Sequence, residues 1–310
     1  MRPKISVIIP THYRNELLPE AIESVLRQEY DPIEIIVVDD SGEGHAEPVL
    51  NEYEEITPVI REENGGWAAA YTSGIEASTG EYIQFLDDDD HLLEGKLSKT
   101  AAVLQENPDV GVSYCGAIKG GEGPVHPKPE VSGDILEHAL AFQTFPLWTG
   151  SMLMERSVLV DCLPLPGASK DDDLDIELGD TDLKIELARR TKFDYVDECL
   201  VFYRREGNKL WTGPRRFRKV KQNIEHQREL YDQYPSIRRD LLVSWHQKQA
   251  VYWLQEDTWS PKAIYHFLKA TSHADRNADR LKCTVGTVTS LFGLPGWNAV
   301  QRARSIATSR

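Results

Sequence analysis

A short apolar strand that runs directly into four consecutive acids restricts the fold of this chain more than any other feature. Residues 82–86 read Tyr-Ile-Gln-Phe-Leu, and Asp87, Asp88, Asp89 and Asp90 follow. Two carboxylates about 5 Å apart repel by about 3 kcal/mol at an effective dielectric of roughly 20, so a cation is expected there. Mg²⁺ takes carboxylate oxygens and shares them with substrate phosphates. The pattern predicts a metal–diphosphate site at the carboxyl edge of a parallel sheet. The alternative is a solvated acidic loop.

The first 116 residues alternate strand and helix patterns with short turns, which is typical of βαβ units on a parallel sheet. The predicted strands are residues 5–10, 34–38, 57–61, 82–86 and 110–115. The predicted helices are 17–28, a helix that follows the turn at 64–66 and runs through Ala77, and a helix near 93–105. Residues 118–146 are rich in Gly and Pro and predict a long functional loop. Strand patterns return at 151–160 and 195–203, around a helix beginning near Asp180. The fold class is therefore α/β, with a mostly parallel sheet flanked by helices.

The alternation stops after about residue 205. Residues 217–231, 237–254 and 261–271 have helical periodicity with aromatics on one face. We therefore expect two domains, a catalytic domain at 1–205 and a basic, mainly helical C-terminal region at 206–310.

Charge is divided in the same way. Residues 1–203 contain 15 Lys and Arg against 41 Asp and Glu, whereas residues 204–310 contain 20 against 9. Such asymmetry indicates a basic region that meets an anionic membrane surface, with no nucleic acid expected. Docking on the acidic domain, adaptation to high salt and a homodimer interface remain alternatives. Residues 283–301 are uncharged, but their Gly, Thr, Ser and Pro content favours an interfacial segment over a membrane span.

The cysteines indicate the compartment. Cys115, Cys162, Cys199 and Cys283 lie far apart with no metal-ligand spacing, which predicts reduced core residues in a cytosolic protein. The first strand begins at residue 5 without a signal-peptide pattern. We expect a cytoplasmic protein, peripheral on the cytoplasmic face of the membrane.

Two strands end in acids, since Asp39 and Asp40 follow the second strand as Asp87–Asp90 follow the fourth. The carboxyl ends of parallel strands open on the same edge, so one acidic pair can accept hydrogen bonds from a base or ribose while the other holds a metal. The turn at Gly65 and Gly66 lets the backbone approach a ligand closely. The sequence lacks both GxGxxG after the first strand and GxxxxGK[ST], which argues against a dinucleotide-binding or P-loop enzyme.

These stretches together resemble the family 2 glycosyltransferases, which are inverting enzymes with a GT-A fold. The similarity lies in residues 4–14, 34–41, 63–90, 150–159 and 179–188, in the order in which the family carries them. The matching blocks are spread over about two-thirds of the chain.

The resemblance implies a role for each matching position. Its nucleotide-sugar pocket corresponds to Thr11, Tyr13, Arg14, Asp39, Asp40, Asn64, Gly65, Gly66, Asp87 and Asp88. Asp89, the last acid of the DxD motif at Asp87–Asp89, corresponds to the direct ligand of Mg²⁺ or Mn²⁺. Asp180 corresponds to the catalytic base, which would take the proton of an acceptor hydroxyl.

Alternatives exist for several of these acids. Asp180 also suits a helix N-cap, and Asp182 is a second candidate base. The run 171–173 is interpreted as a solvated loop rather than a second metal site. His91 is interpreted as a surface histidine, with contact to the leaving group as the alternative.

The chain departs from the family pattern at three places. Tyr71-Thr72 stands where the family often has Arg-Asn, so a cation facing the diphosphate is missing, for which Arg61 or Arg14 could compensate. Residues 203–206 read Tyr-Arg-Arg-Glu without the histidine of the common YRxH ending. The middle of the DxD motif is Asp88 rather than a small residue.

The resemblance implies sugar transfer from a nucleoside-diphosphate sugar, with a UDP-sugar favoured, to an acceptor hydroxyl or phosphate. A glycan or polyprenyl-phosphate-linked acceptor in surface-polysaccharide or N-glycan assembly is the preferred expectation. Two other classes stay open. A non-catalytic sugar-nucleotide-binding protein would keep the pocket without the base. A sugar nucleotidyltransferase would normally show a Gly-rich, Lys-bearing phosphate loop near the first strand.

Overall fold

A computed structural model describes residues 2–165, 179–204, 214–257, 259–275 and 277–298. The chain divides into two compact units, Met1–Asn208 and Lys209–Arg310.

One mixed sheet organises the first unit. Its strands are β1 (Ile5–Thr11), β2 (Ile33–Asp39), β3 (Ile56–Ile60), β4 (Tyr82–Phe85), β5 (His91–Leu92), β6 (Val110–Lys119), β7 (Gly123–Val125), β8 (Met152–Glu155) and β9 (Lys192–Tyr203). Their order is β3-β2-β1-β4-β8-β6-β9-β5, with β7 paired to β6. Parallel pairing joins β1 to β2 and β4, β2 to β3, and β6 to β9. Antiparallel pairing joins β4 to β8, β5 to β9, and β6 to both β7 and β8.

The helices of the first unit connect these strands. They are α1 (Leu18–Leu26), α2 (Glu47–Leu50), α3 (Gly66–Ala77), α4 (Lys96–Glu106), α5 (Leu136–Leu140), α6 (Arg156–Val160) and α7 (Gly179–Ala188). The second unit contains α8 (Pro214–His226), α9 (Arg228–Gln233), α10 (Pro235–Glu256), α11 (Pro261–His273) and α12 (Asn277–Ser290). The predicted α/β class is confirmed.

Strand β1 contributes side chains to both faces of the sheet, because successive residues of a strand point to opposite faces. Ile5, Val7 and Ile9 belong to a buried apolar cluster with residues of α1 and α4. Ile8 faces the other way, against α3 at Gly74. The sheet is therefore covered on both faces, and its carboxyl edge remains for a ligand.

Gly74→Ala tests this close packing of α3. An added Cβ would lie 2.3 Å from Cγ2 of Ile8 and 3.2 Å from Cγ2 of Val38. Overpacking a filled core costs about 1–3 kcal/mol, so chemical denaturation should show a loss of that size in unfolding free energy. Glu76→Ala, at an exposed position of the same helix, is the control. Equal stability of the two variants would contradict the packing described.

The predicted elements differ from the observed ones in several places, among them the predicted helix 217–231, which is divided between α8 and α9. The strand predicted at 151–160 was wrong beyond Glu155, because helix α6 begins at Arg156. A short apolar run is compatible with either a strand or a helix. Residues 118–146, predicted as loop, include β7 and the short helix α5. Helix α12 occupies part of the uncharged stretch 283–301. Among the described residues, no helix has both the length and the apolar character that crossing a bilayer requires.

Candidate active site

The ends of β1, β2 and β4 place the predicted site residues at one edge of the sheet. The parallel register pairs Thr11 with Asp39, and β4 ends at Phe85 just before the four acids. The hydroxyl of Thr11 donates to Oδ2 of Asp88 at 2.8 Å, which joins the end of β1 to the acids after β4.

Asp39 shapes the loop that follows β2. Its side chain is fully buried, and it accepts hydrogen bonds from the backbone N–H of Ser41 at 2.9 Å and of Ala46 at 2.7 Å. In this structure Asp39 therefore supports the rim of the pocket.

Asp40 joins the second strand to the Gly-Gly turn. Its Oδ1 accepts from Nε of Arg61 at 2.7 Å and from the N–H of Gly65 at 3.0 Å, and its Oδ2 accepts from the N–H of Gly66 at 2.8 Å. Because α3 begins at Gly66, Asp40 binds amide groups that a helix start leaves without intrahelical partners. A positive φ of 74° at Gly66 explains the glycine there.

The outer rim carries Tyr13 and Asn64. Tyr13 has a positive φ of 57°, is 46% exposed and donates its hydroxyl to Glu43 at 2.8 Å. Its ring lies 4.7 Å from the ring of His12, whose Nε2 is 2.7 Å from Nδ2 of Asn64. An exposed aromatic surface of this kind suits stacking on a flat base.

Three of the four acids after β4 converge. Ligand atoms of Asp87, Asp89 and Asp90 all lie within 4.8 Å of one another, and we call these side chains the acidic triad. A turn closed by the Asp90 N–H and the Asp87 carbonyl, 3.1 Å apart, produces this convergence. Asp88 instead faces Thr11 and Arg14. The structure thus brings Asp90 to the predicted ligand Asp89, and sequence reasoning had not singled out Asp90.

Two arginines bind this group of acids, Arg14 by ion pairs with the carboxylates and Arg204 mainly through its backbone, since the Arg204 guanidinium pairs with Glu20. Nη1 of Arg14 lies 3.0 Å from Oδ1 of Asp88 and 2.9 Å from Oδ2 of Asp89. Arg204 donates its backbone N–H to Oδ1 of Asp90 at 2.9 Å and its Nε to the carbonyl of Asp89 at 3.1 Å. In the sequence, Arg204 was recognisable only as part of a motif that lacks its histidine.

Tyr71 takes the place of the cation expected from the family pattern. Its ring is buried against Phe85 with centroids 4.0 Å apart, and its hydroxyl donates to Oδ1 of Asp87 at 3.0 Å. Arg61, one of the two candidate substitutes, is bound to Asp40, so Arg14 is the candidate that contacts the acids. His91 stacks on Phe202 and pairs with Glu20 at 3.0 Å.

Burial and mutual repulsion raise the pKa values of two acids of the triad. Desolvation, followed by the charge of Asp89, raises the pKa of Asp87 to about 6. Desolvation, followed by the charge of Asp87, raises the pKa of Asp90 to about 9. Carboxylates so arranged fit a divalent cation with oxygen ligands such as Mg²⁺ or Mn²⁺, because its charge would compensate both costs.

We expect the metal-free protein to lose stability as pH rises. Below about pH 4 both acids are protonated in the folded and unfolded states. Above it the unfolded chain ionises first, so stability falls until pH passes about 6 for Asp87 and about 9 for Asp90. Because Mn²⁺ favours the ionised form, it should raise the melting temperature more at pH 8 than at pH 5. Asp90→Asn should flatten the metal-free pH profile, and an unchanged profile would contradict this assignment.

Asp180 lies in the first turn of α7. Its Oδ2 is 2.8 Å from Nζ of buried Lys184, and its side chain is 37% exposed, so a substrate can approach. Burial and, after it, the charges of the acidic triad and of Asp180 raise the pKa of Tyr203 to about 12. Asp182 is fully buried, which disfavours contact with an acceptor. The run 171–173 and the Arg205-Glu206 pair lie outside the described residues.

The matching family model is described as glycosyl transferase family 2 and covers residues 6–163, about half of the chain. An uncharacterized glycosyltransferase of Nostoc sp. is 33% identical over 173 residues, which are 52% of this chain and 54% of that protein. A GalNAc(5)-diNAcBac-PP-undecaprenol beta-1,3-glucosyltransferase of Campylobacter jejuni is 37% identical over 101 residues, 31% of this chain and 33% of that protein. The chain therefore matches about half or less of the length of these curated relatives.

Solved structures show the same fold. A mannosyltransferase from Pyrobaculum calidifontis, in complex with GDP-Man and Mn²⁺, aligns with a TM-score of 0.59 at 18% identity over 97% of this chain and 84% of that one. S. aureus TarS in complex with UDP-GlcNAc aligns with a TM-score of 0.57 at 14% identity over 93% and 90%. Both the expected GT-A fold and the expected family are confirmed, and the chain belongs to glycosyl transferase family 2.

Proposed function

We propose that this protein transfers a sugar, with inversion, from a nucleoside-diphosphate sugar to an acceptor. The observation that carries the proposal is that the acidic triad follows β4, which pairs with β1, so that the triad lies at the same sheet edge as Thr11 and Asp40. A partly buried group of acids beside a rim with exposed aromatic surface suits a ligand that has a metal-bound diphosphate and a base.

Each part of the pocket then has a task. Asp87, Asp89 and Asp90 would hold Mg²⁺ or Mn²⁺, and such an ion would supply charge neutralisation for the departing diphosphate. Arg14 adds a cation beside Asp88 and Asp89. Asp40 and Asp39, with the Asn64–Gly66 turn, form the wall for the base and ribose, and Tyr13 forms its rim.

Asp180 is proposed as the general base. Its partner Lys184 orients the carboxylate while leaving it partly exposed. From there it would accept the proton of the acceptor hydroxyl as that oxygen attacks the anomeric carbon. Proton removal makes the acceptor oxygen a better nucleophile, and the sugar bond to the diphosphate breaks on the opposite side.

The donor and acceptor are proposed by analogy. A UDP-sugar is favoured, since the S. aureus neighbour carries UDP-GlcNAc, although the Pyrobaculum neighbour carries GDP-Man. The name of the Campylobacter relative contains a diphosphate-linked undecaprenol acceptor, which supports a lipid-linked glycan. We place such an acceptor at the cytoplasmic face of a membrane, with residues 1–205 as the catalytic domain and residues 206–310 as a basic region near the lipid.

A thermal-shift screen of nucleotide sugars with and without Mn²⁺ tests the donor site. A ligand at about 100 times its dissociation constant stabilises the folded state by about 2.7 kcal/mol. We expect UDP-sugars to raise the melting temperature when Mn²⁺ is present, and to do so less without it. Mn²⁺ with inorganic phosphate is the control. If no nucleoside diphosphate stabilises the protein, the donor pocket is wrongly assigned.

A further inference from the structure

Apolar side chains are unusually exposed on the second unit. Seven of the twelve large apolar side chains that are strongly exposed among the described residues lie between positions 259 and 292. Phe292 is 72% exposed and Leu281 is 65% exposed, the two highest values of that set. Exposed apolar groups that cluster in this way mark an interaction surface rather than ordinary scatter.

Helical spacing groups several of them. Leu281, Thr284 and Val288 are exposed at positions three and four apart, so they share the outer face of α12. The opposite face is buried: Cys283 belongs to a small core cluster, and Gly286 packs on the ring of Phe267. The outer face of α12 therefore exposes the apolar side chains of Leu281 and Val288, although the helix already buries another face within the unit.

An exposed tip follows the helix. Leu291 and Phe292 lie in the turn after α12, and Trp259 donates its indole N–H to the carbonyl of Leu291 at 3.2 Å. We call Trp259, Leu291 and Phe292 the apolar tip. Trp259 is 54% exposed and Leu291 is 55% exposed. A Trp side chain with one end in water and the other in apolar surroundings is typical of the membrane–water interface.

Basic residues accompany this surface. Residues 259–310 contain eight Lys or Arg and two acids. Lys262, Lys269, Arg280 and Lys282 are exposed in α11 and α12. The acids Asp275 and Asp279 pair with Arg239 and Lys282. An apolar face with a basic surround fits a helix that lies in the interface of an anionic bilayer.

We propose that the apolar tip and the outer face of α12 form a docking surface for an anionic lipid bilayer. Leu291, Phe292 and Trp259 enter the interfacial layer, and the neighbouring Lys and Arg contact lipid phosphates. The surface deepens the proposed function, since a lipid-borne acceptor would be found at such a membrane. A second copy of the chain is a poorer occupant, because a two-fold interface brings Arg280 and Lys282 toward their own symmetry mates.

Vesicle flotation with the full chain tests the proposal. The protein should float with vesicles of phosphatidylcholine mixed with phosphatidylglycerol, and much less with phosphatidylcholine alone. The double variant Leu291→Ser with Phe292→Ser should bind the mixed vesicles about tenfold more weakly or worse, because both side chains lose apolar burial. Lys262→Glu with Lys282→Glu should reduce the preference for the anionic lipid.

Matched controls lie in the first unit. Leu26→Ser removes a 42% exposed leucine from α1, and Lys192→Glu reverses an exposed charge in β9; both should leave flotation unchanged. Because the changed side chains are exposed, melting temperatures should stay close to the parent value. Flotation of the double variant equal to the parent, or no flotation of the parent, overturns the proposal.

Two further readouts distinguish lipid binding from self-association and from damage to the catalytic site. If the double variant instead halves the molar mass in solution, the surface is a contact between copies and the lipid proposal fails. Donor hydrolysis in the absence of vesicles reports the catalytic site alone, and the double variant should retain it. If the parent protein hydrolyses the donor but does not bind vesicles, the docking surface is rejected while the proposed sugar transfer still stands.

Discussion

Asp89→Asn is expected to lower metal-dependent sugar transfer by about a thousandfold. Asp89 contributes an oxygen to the acidic triad, and its Oδ2 also pairs with Arg14 at 2.9 Å. The amide keeps the shape but removes the charge that would hold a divalent ion. Charge stabilisation by such an ion is worth several kcal/mol, and each ~1.4 kcal/mol is a factor of about ten in rate.

The measurement for Asp89 needs two readouts. Turnover of the donor in the presence of Mn²⁺ gives the rate, and titration calorimetry with Mn²⁺ gives the affinity for the ion. Asp109→Asn, at a side chain that is 82% exposed, makes the same chemical change away from the site. If Asp89→Asn binds Mn²⁺ and turns over the donor like the Asp109 variant, the triad does not hold the catalytic metal.

Asp180→Asn is expected to reduce turnover by about a hundredfold to ten-thousandfold, the usual contribution of general acid–base catalysis. The substitution leaves a side chain of the same size beside Lys184 but removes the proton acceptor. Donor binding, followed by thermal shift, should be retained because Asp180 is assigned to the acceptor side. A fall in turnover with donor binding intact also separates an enzyme from a sugar-nucleotide-binding protein.

Two variants make the test of Asp180 sharper. Asp182→Asn changes the other candidate acid of the same turn, and a larger loss of turnover there, with the fold retained, would move the base to Asp182. Lys184→Met removes the cation that orients Asp180, and it should lower turnover less than Asp180→Asn does. Full activity of Asp180→Asn would mean that the base is elsewhere.

The sequence predicted the parallel half of the sheet because its signals are local. Strands β1, β2 and β4 are short apolar runs that end at polar residues, and most predicted bounds lie within one or two residues of the observed ones. The Gly-Gly turn before α3 was also visible, since it combines a turn signal with the first apolar residues of a helix. These features depend on neighbours in sequence.

Side-chain direction at the site could not be predicted in the same way. The motif pattern pointed to Asp87–Asp89, but a turn in the backbone brings Asp90 into the triad and directs Asp88 to Thr11. The hydroxyl of Tyr71 meets Asp87 across 16 positions of sequence, and Arg204 meets Asp90 across 114. Such contacts depend on how strands far apart in the chain pair, and periodicity does not contain that information.

Asp40 has both a structural and a proposed binding role, and this limits how the nucleotide specificity of the pocket could change. Under the proposed function its carboxylate would contact the base, and in the structure it secures the start of α3 through two glycine amides. A replacement there would shift the helix as well as the recognition of the base, so fold and selectivity would be lost together. Residues at the open rim, such as the exposed Tyr13, do not also hold the start of a helix in place. A change toward a new donor would therefore be easier at the rim, near Tyr13, than at Asp40.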